Sequence, residues 1–353
     1  MAAHALDKPI RHPLLRLVLA SALAVVLGAS LFGCSGIPKE PQVAATVNGT
    51  VIAEDEVTEY IEGFRSKNDS YGTDAGWAAF LANAGYTPSS FRMHIIETTF
   101  VPNELVRQEC ASRKIVVTDD QLDLVIEQEK SYYEQRYGED SWGSVLASFG
   151  YDEQTWRENE ELRLLEEQLT DVVVKDKKAS KSDILRMARQ SGSNYNGRHS
   201  YYIDFKTEKQ AQAARDTLAK SADATVKPKA FKKLGDTVNA GWNSVTADRD
   251  KMSNEYLSAL SELDARRVSA PVEDNGTWRL VLCDQVFTCP AELTYARLAA
   301  FPKKIYAQIE SDASKAHVED AYMDWLDEVT DSADIQVNAM PDGLPYAVVL
   351  DED

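Results

Sequence analysis

From Ser90 to about Arg189 the sequence keeps a helical periodicity almost throughout. Apolar residues recur at three- and four-residue spacing, and Pro102 and Gly138 divide the pattern into shorter segments. The faces between the apolar stripes are strongly acidic. Because each apolar stripe needs a partner, these interrupted helices cannot form one straight rod. We expect them to fold back on one another or around another molecule.

The sequence on either side of this helical stretch has a different pattern. Before it, Val43–Val47 and residues 50–52 read as strands joined by Asn48-Gly49, the favoured two-residue hairpin turn. After it, a linker near Ser191 leads into segments in the order strand, helix, helix, strand, strand, which is typical of a compact α+β unit. A long helix, a short strand and an acidic tail close the chain. We therefore predict an α+β fold.

The N-terminus has the pattern of a secretion signal. Three basic residues precede an uncharged run over residues 17–33, and the run ends at Cys34. The final "LFGC" resembles the bacterial lipobox, in which the cysteine carries diacylglycerol. We predict a lipoprotein signal peptide over residues 1–33, lipidation of Cys34 and a tether over residues 34–42. An uncleaved membrane anchor is the alternative, and both interpretations place the protein outside the cytoplasm.

The mature chain is strongly acidic. Its 320 residues contain 35 Lys+Arg against 56 Asp+Glu, a net charge of −21. Such a surface repels nucleic acid and anionic lipid headgroups, so we expect no nucleic-acid partner. It also favours solubility close to a membrane. At this length, two domains with a substantial core are expected.

Three cysteines remain in the mature chain: Cys110, Cys283 and Cys289. An oxidising compartment permits disulfides, and Cys283 and Cys289 flank "DQVFT", so that they could pair across a strand end. Buried free thiols are the alternative. No cysteine or histidine cluster has zinc-binding spacing, so we predict no metal site and no cofactor.

Three segments, "VAATVNGTVIAEDEV", "ELVRQECASRKIVVTDDQL" and "AYMDWLDEVTDSADIQV", resemble the chaperone domain of the SurA and PrsA foldases. In that family the N-terminal helices and a C-terminal helix join into one body. The resemblance implies a helical chaperone domain whose N-terminal part spans residues 43–190. A C-terminal helix and strand over residues 289–342 would complete it, and residues 343–353 would form an acidic tail.

Residues 197–288, between these parts, resemble a parvulin-type peptidyl-prolyl isomerase inserted into the chaperone domain. The strongest match is "MSNEYLSALSELDARRVSAPV", which fits the parvulin pattern without a gap. It places Met252 and Tyr256 where parvulins have the methionine and phenylalanine of the proline pocket. Leu263 falls on a usual core position, and "AGW", ending at Trp242, matches the end of the glycine-rich loop.

The catalytic residues of parvulins, by contrast, are not matched. Parvulins have two facing histidines behind the proline pocket, and alignment along the chain puts Tyr202 at the first position and Trp278 at the second. His199 precedes Tyr202 by three residues. The glycine-rich loop is shortened, which leaves Asp236 as its only acid, and Ser261 replaces a common phenylalanine. We therefore assign no catalytic residue and leave it uncertain whether the chain is an enzyme.

Five residues are our substrate-binding candidates: Met252, Tyr256, Trp242, Trp278 and Leu263. One interpretation is that the two tryptophans join Met252 and Tyr256 in a shallow groove for apolar peptide segments. The other is that Trp278 simply packs in the core of a half-buried strand. His199 is likewise either an ordinary strand histidine or a displaced catalytic group.

These features together predict a membrane-anchored extracytoplasmic chaperone or foldase. It would bind unfolded or partly folded exported proteins, with weak or absent proline isomerase activity in the parvulin-like domain. An active peptidyl-prolyl cis-trans isomerase is the first alternative. A non-catalytic structural or binding lipoprotein is the second.

Overall fold

The computed structural model describes residues 42–67, 70–218 and 225–348. The predicted signal peptide, Cys34, the rest of the tether through residue 41 and the final residues 349–353 lie outside the described residues. Within the described ranges, no helix combines the length and the apolar composition that crossing a membrane requires. The described residues form helices and two antiparallel sheets, so the predicted α+β class is confirmed.

The chain divides into two compact units. Unit 1 contains the described residues up to Lys175 and those from Tyr322 onward, and unit 2 contains Asp176–Ala321. This division differs from the expected domain boundaries. Residues 176–190 and 289–321, which the sequence analysis gave to the helical chaperone domain, cluster with unit 2.

Unit 1 is a three-stranded sheet, ordered β2-β1-β8, with a series of helices between β2 and the start of unit 2. Its elements are β1 (Val43–Val47), β2 (Thr50–Ala53), α1 (Glu54–Ser66), α2 (Asp74–Ala84), α3 (Pro88–Ile95), a π-helical turn (Ile96–Phe100), α4 (Val101–Arg113), α5 (Asp119–Tyr137), α6 (Trp142–Phe149), α7 (Glu153–Val173) and β8 (Ile335–Val337). Among the described residues, the first strand therefore pairs with the last.

Local sequence explains where several of these elements begin and end. Asn48 and Gly49 have φ of 51° and 85°, the left-handed conformation that a tight two-residue hairpin needs, and the predicted turn is confirmed. Helix α5 starts at a capping box in which Thr118 and Gln121 each accept a hydrogen bond from the other's main-chain amide. It ends at Gly138, as expected.

The helices of unit 1 pack through a mixture of apolar contacts and one buried ion pair. Helices α4 and α7 meet through Val106, Cys110, Leu162 and Leu169, so the helical stretch folds back on itself as predicted. Near the sheet, Arg92 on α3 forms a salt bridge with Glu54 on α1, and both side chains are 2% exposed. Burial at that depth requires the two charges to compensate each other.

Unit 2 has a five-stranded antiparallel sheet in which β3 and β7 are central. Its elements are α8 (Lys181–Gln190), a 3-10 turn (Gly192–Tyr195), β3 (Gly197–Phe205), α9 (Glu208–Leu218), α10 (Pro228–Phe231), β4 (Thr237–Trp242), α11 (Thr246–Arg249), α12 (Asn254–Ser261), β5 (Arg267–Val268), β6 (Val272–Asp274), β7 (Thr277–Phe287), α13 (Tyr295–Leu298) and α14 (Lys303–Ser332), whose residues from Tyr322 onward cluster with unit 1. Strands β4, β3, β7 and β5 are neighbours in that order, and β6 also pairs with β7.

The predicted disulfide is wrong. Cys110, Cys283 and Cys289 are all buried free thiols. Strand β7 continues beyond Cys283 as far as Phe287, and four extended residues already span about 13 Å, well beyond disulfide reach. Cys289 instead packs against helix α8, where its thiol donates to the carbonyl of Ala188.

The separate tail predicted from residue 343 also needs correction. Residues 343–348 contain Tyr346, whose side chain is 0% exposed. Residues 343–348 therefore pack onto unit 1 through this aromatic side chain.

Candidate functional site

The candidate site lies on one face of the unit 2 sheet, beneath helix α12. Side chains along β7 alternate between the two faces, so Val281 and Cys283 point toward α12. They form a buried cluster with Tyr256 and Leu260 from the helix. The parvulin-like segment thus contributes its apolar residues to the sheet face it covers.

Three of the five substrate-binding candidates come together here. Tyr256 belongs to the buried cluster, and Met252 and Leu263 are partly buried and pack against it. Ser253 caps the start of α12 by accepting a hydrogen bond from the main-chain amide of Tyr256, which fixes the first turn of the helix. The carbonyl of Leu263 accepts a hydrogen bond from the guanidinium of Arg198 on β3.

Tyr256 forms the floor of the site rather than its surface. Its side chain is 1% exposed, and its hydroxyl donates a 2.9 Å hydrogen bond to the Ser200 hydroxyl. Burial raises the pKa of Tyr256 far above its usual value, so the hydroxyl remains a protonated donor. The residues that reach the surface of the site are the partly buried Tyr202, Ala240 and Met252.

Tyr202, at the position of the first parvulin histidine, does lie in this site. Its ring contacts Tyr256 edge-on, with centroids 5.7 Å apart. The guanidinium of Arg279 also lies over the Tyr202 ring, with Cζ 4.6 Å from the centroid. Arg279 also forms ion pairs with Asp204, at 2.7 Å, and with Asp274. The ring of Tyr202, at the position aligned with the first parvulin histidine, therefore has a tyrosine and a neutralised cation as neighbours.

The sequence analysis did not single out Arg279. Once Val281 is placed on the α12 face, however, alternation along β7 puts Arg279 on that face too. The required signal is the strand register, which decides the face of every residue in the strand.

The placement of Trp278 in the groove is wrong. Trp278 pairs with Phe205 across the sheet and packs with Leu280 and Ile203 against α9 and α10. That cluster is on the opposite face from Val281 and Tyr256. Trp278 is thus a packing residue, the alternative that the sequence left open.

Trp242 also lies outside the Tyr256 cluster, so its assignment to the groove is wrong as well. It is 6% exposed and packs with residues of α8 and α14. Its main-chain amide donates to the carboxylate of Asp248. Gly241 has φ of +83°, and a Cβ there would lie 2.1 Å from that carboxylate, so this turn requires glycine at position 241.

The His199 side chain packs against Trp242 and lies outside the Tyr256 cluster. The two ring centroids are 5.4 Å apart, and Nδ1 of His199 lies 3.6 Å from a carboxylate oxygen of Asp284. Burial lowers the pKa of His199, although nearby carboxylates oppose the shift. The side chain is an inward-facing strand histidine of β3.

The sequence of unit 1 matches a known protein family. Residues 10–170 match the SurA-like N-terminal domain family. The predicted resemblance to the SurA and PrsA foldases is confirmed, and the matched residues include the helices of unit 1 from α1 through most of α7.

The relatives carry the name foldase. The foldase protein PrsA of Clostridium acetobutylicum is 24% identical over 282 residues, which cover 74% of this chain and 82% of that protein. A foldase protein PrsA of Clostridium perfringens is 28% identical over 148 residues, covering 40% of this chain and 42% of that protein. Among solved structures, one of the SurA-like chaperones of Campylobacter jejuni has a TM-score of 0.40 at 12% identity, covering 84% of this chain and 98% of that one.

Proposed function

We propose that this protein is an extracytoplasmic chaperone or foldase, held at the membrane by a lipid on Cys34, that binds unfolded exported proteins. The relationship to foldase proteins and the SurA-like N-terminal domain support the general function. The basic, apolar and cysteine-terminated start of the sequence supports export and lipidation. In this proposal the parvulin-like unit has little or no proline isomerase activity.

The observation that carries the isomerase part of the proposal is the contact between Tyr202 and Arg279. Rotation of an X-Pro bond crosses a barrier of about 20 kcal/mol, and a catalyst must stabilise the twisted amide relative to the planar one. Here the guanidinium is already engaged by Asp204 and Asp274, and the Tyr256 ring is buried beneath Tyr202. These contacts leave Tyr202 as part of an apolar contact surface, without the two histidines that parvulins have.

Exposed apolar residues on unit 1 support client binding. Leu124, Tyr132 and Tyr137 on helix α5 are 60%, 56% and 62% exposed. They are interspersed with acidic and amide side chains on the same helix, which keep the surface hydrated. Apolar side chains in a charged surround are suited to transient contact with unfolded chains of many sequences.

The test measures chaperone and isomerase activity on one preparation of the mature chain in which Cys34 is serine. Reduced, denatured lysozyme is diluted into buffer with or without the protein, and light scattering records aggregation. Cis/trans exchange of an Ala-Ala-Pro-Phe peptide is measured in parallel. We expect suppression of aggregation at near-equal molar amounts and exchange at close to the spontaneous rate.

A matched pair of variants locates the client contacts. The double variant Leu124→Ser with Tyr132→Ser should suppress aggregation several-fold less well than the parent. Val51→Ser alters an equally exposed apolar residue, 54% exposed on β2, and should leave suppression unchanged. Aggregation that proceeds equally with and without the parent protein would refute the chaperone function, and rapid peptide exchange would restore the isomerase alternative.

A further inference from the structure

The last described residues of the chain, 341–348, lie on unit 1 without forming a helix or a strand. They make turns, with Gly343 at φ of +79° and the amide of Ala347 donating to the carbonyl of Leu344. Tyr346 is nevertheless completely buried. This segment is therefore held by contacts with the rest of unit 1 rather than by regular secondary structure of its own.

Side chains of unit 1 bind the main chain of this segment. The indole nitrogen of Trp77 on α2 donates a 2.8 Å hydrogen bond to the carbonyl of Tyr346. The guanidinium of Arg65 on α1 donates at 3.1 Å to the carbonyl of Pro345. Every residue type has a main-chain carbonyl, so these contacts recognise a peptide backbone irrespective of its sequence.

The buried side chain supplies the selective contact. The hydroxyl of Tyr346 donates at 3.3 Å to a carboxylate oxygen of Glu54, which is itself paired with Arg92. Burial raises the pKa of Tyr346 far above its usual value, so the hydroxyl stays a donor. The buried carboxylate favours a tyrosine over an aliphatic residue, because the phenol fills the space and adds a hydrogen bond to an oxygen that also accepts from Nε of Arg92 at 2.9 Å.

The groups that hold the segment are also positioned by other contacts. Arg65 forms ion pairs with Glu62 at 2.9 Å and with Asp74 at 3.1 Å, and its guanidinium lies over the Trp77 ring. The Trp77 ring in turn packs edge-on against Phe91, with centroids 5.4 Å apart. The site therefore has its own framework, which does not depend on the C-terminal segment that fills it.

We propose that this site is a binding site for irregular peptide segments with a tyrosine anchor, and that the chain's own residues 341–348 occupy it as an internal competitor. A segment without the hydrogen bonds of a strand or helix detaches more readily than either, so the site can be vacated without unfolding unit 1. Tyrosine-containing segments of unfolded proteins would then replace Tyr346. The peptide site is independent of the chaperone activity, whereas its use by clients rests on the proposed function.

The test compares the mature chain, with serine at position 34, with the same chain ending at Met340. The shorter chain keeps β8 and the carbonyl of Asn338, to which Arg92 donates. The probe is a fluorescein-labelled peptide, GLPYAV, which is the sequence of residues 343–348. Fluorescence anisotropy should show binding to the shorter chain and at least tenfold weaker binding to the intact one.

The matched control peptide is GLPSAV, which lacks only the tyrosine side chain and should bind the shorter chain at least tenfold more weakly than GLPYAV. Equal binding of the two peptides, or failure of a folded shorter chain to bind GLPYAV, would overturn the proposal. Circular dichroism establishes that the shorter chain is folded.

If the shorter chain does not fold, hydrogen exchange on the intact chain decides the question. Excess unlabelled GLPYAV should accelerate exchange of the amides of Leu344, Tyr346, Ala347 and Val348, whereas GLPSAV should not. Unchanged exchange with both peptides would contradict the proposal. Peptide binding together with no suppression of aggregation by either chain would retain this site and refute the chaperone function instead.

Discussion

The guanidinium of Arg279 lies over the ring of Tyr202, with Cζ 4.6 Å from the ring centroid, and the Tyr256 ring packs against the same ring at an interplanar angle of 77°. A cation over an aromatic face contributes roughly 0.5–2 kcal/mol, depending on its exposure to solvent. Because Arg279 is anchored by two carboxylates, this arrangement is rigid as well as attractive. Tyr202, which aligns with the first parvulin histidine, therefore has a structural role.

Arg279 should therefore be important for stability. Replacing it with methionine leaves Asp274, whose side chain is 0% exposed, without its cationic partner. Removing one member of a buried pair costs about 3–5 kcal/mol, whereas Asp204→Asn, at a position 45% exposed, should cost about 1 kcal/mol or less. Urea unfolding of both variants measures the difference, and similar losses in the two would show that Asp274 does not need Arg279.

Trp278→His should not create isomerase activity. The new imidazole would face α9 and α10, on the opposite side of the sheet from Tyr256. The loss of aromatic packing should destabilise the unit by about 3 kcal/mol, while Trp278→Phe should lose less. The proline-peptide assay and urea unfolding give the two results, and accelerated exchange by the histidine variant would place residue 278 in the site after all.

Acidification should destabilise the protein through His199. Burial lowers its pKa below the unfolded value of about 6.5, although Asp284 and Asp248 oppose this shift and Lys304 supports it. Below about pH 6.5 the unfolded state therefore binds more protons, and this contribution to stability is lost as the pH falls toward the folded pKa. Unfolding free energies between pH 5 and 8 should fall less steeply on the acid side in His199→Gln, and identical profiles would contradict the prediction.

The three cysteines should be unreactive in the native protein. All are buried, and burial raises the pKa of Cys283 to about 11, which leaves little thiolate near neutral pH. Ellman's reagent should label essentially no thiol in the native mature chain with serine at position 34, and three in the presence of denaturant. Labelling of only one cysteine after denaturation without a reductant would indicate a disulfide.

Cys34→Ser should release the protein from the membrane. The predicted lipid is attached to this sulfur, and serine cannot carry it. Fractionation of cells should place the parent protein with membranes and the variant in the soluble extracytoplasmic fraction. A variant that stays with the membrane would favour the uncleaved N-terminal anchor.

Features with strong local signals could be predicted from the sequence. The Asn48-Gly49 hairpin and the end of helix α5 at Gly138 depend on short-range geometry, and both are found. The resemblance of one unbroken segment to parvulins grouped Met252, Tyr256 and Leu263, and they do lie together. Trp278 was misplaced because its side of the sheet depends on register, and a shift of one residue reverses every side chain in a strand.

Long-range contacts had no such signal. Tyr346 touches Glu54 across 292 residues of chain, and no periodicity in either segment indicates the pairing. The burial of Tyr346 was also not apparent, because "DGLPYAVVLDED" was read as an acidic tail. Tyr346, the single aromatic residue in that segment, anchors the segment on unit 1. The composition of a whole segment does not reveal the effect of one such residue.

The pairing of β1 with β8 has a consequence for the order of events during secretion. Thr46 lies opposite Gln336, so in the proposed export, N-terminus first, β1 crosses the membrane long before β8, the strand that pairs with its second edge. Unit 2 is a single uninterrupted stretch and has no such requirement. In the proposed export, unit 2 can therefore fold while the sheet of unit 1 is still incomplete. Strand β8 then completes that sheet.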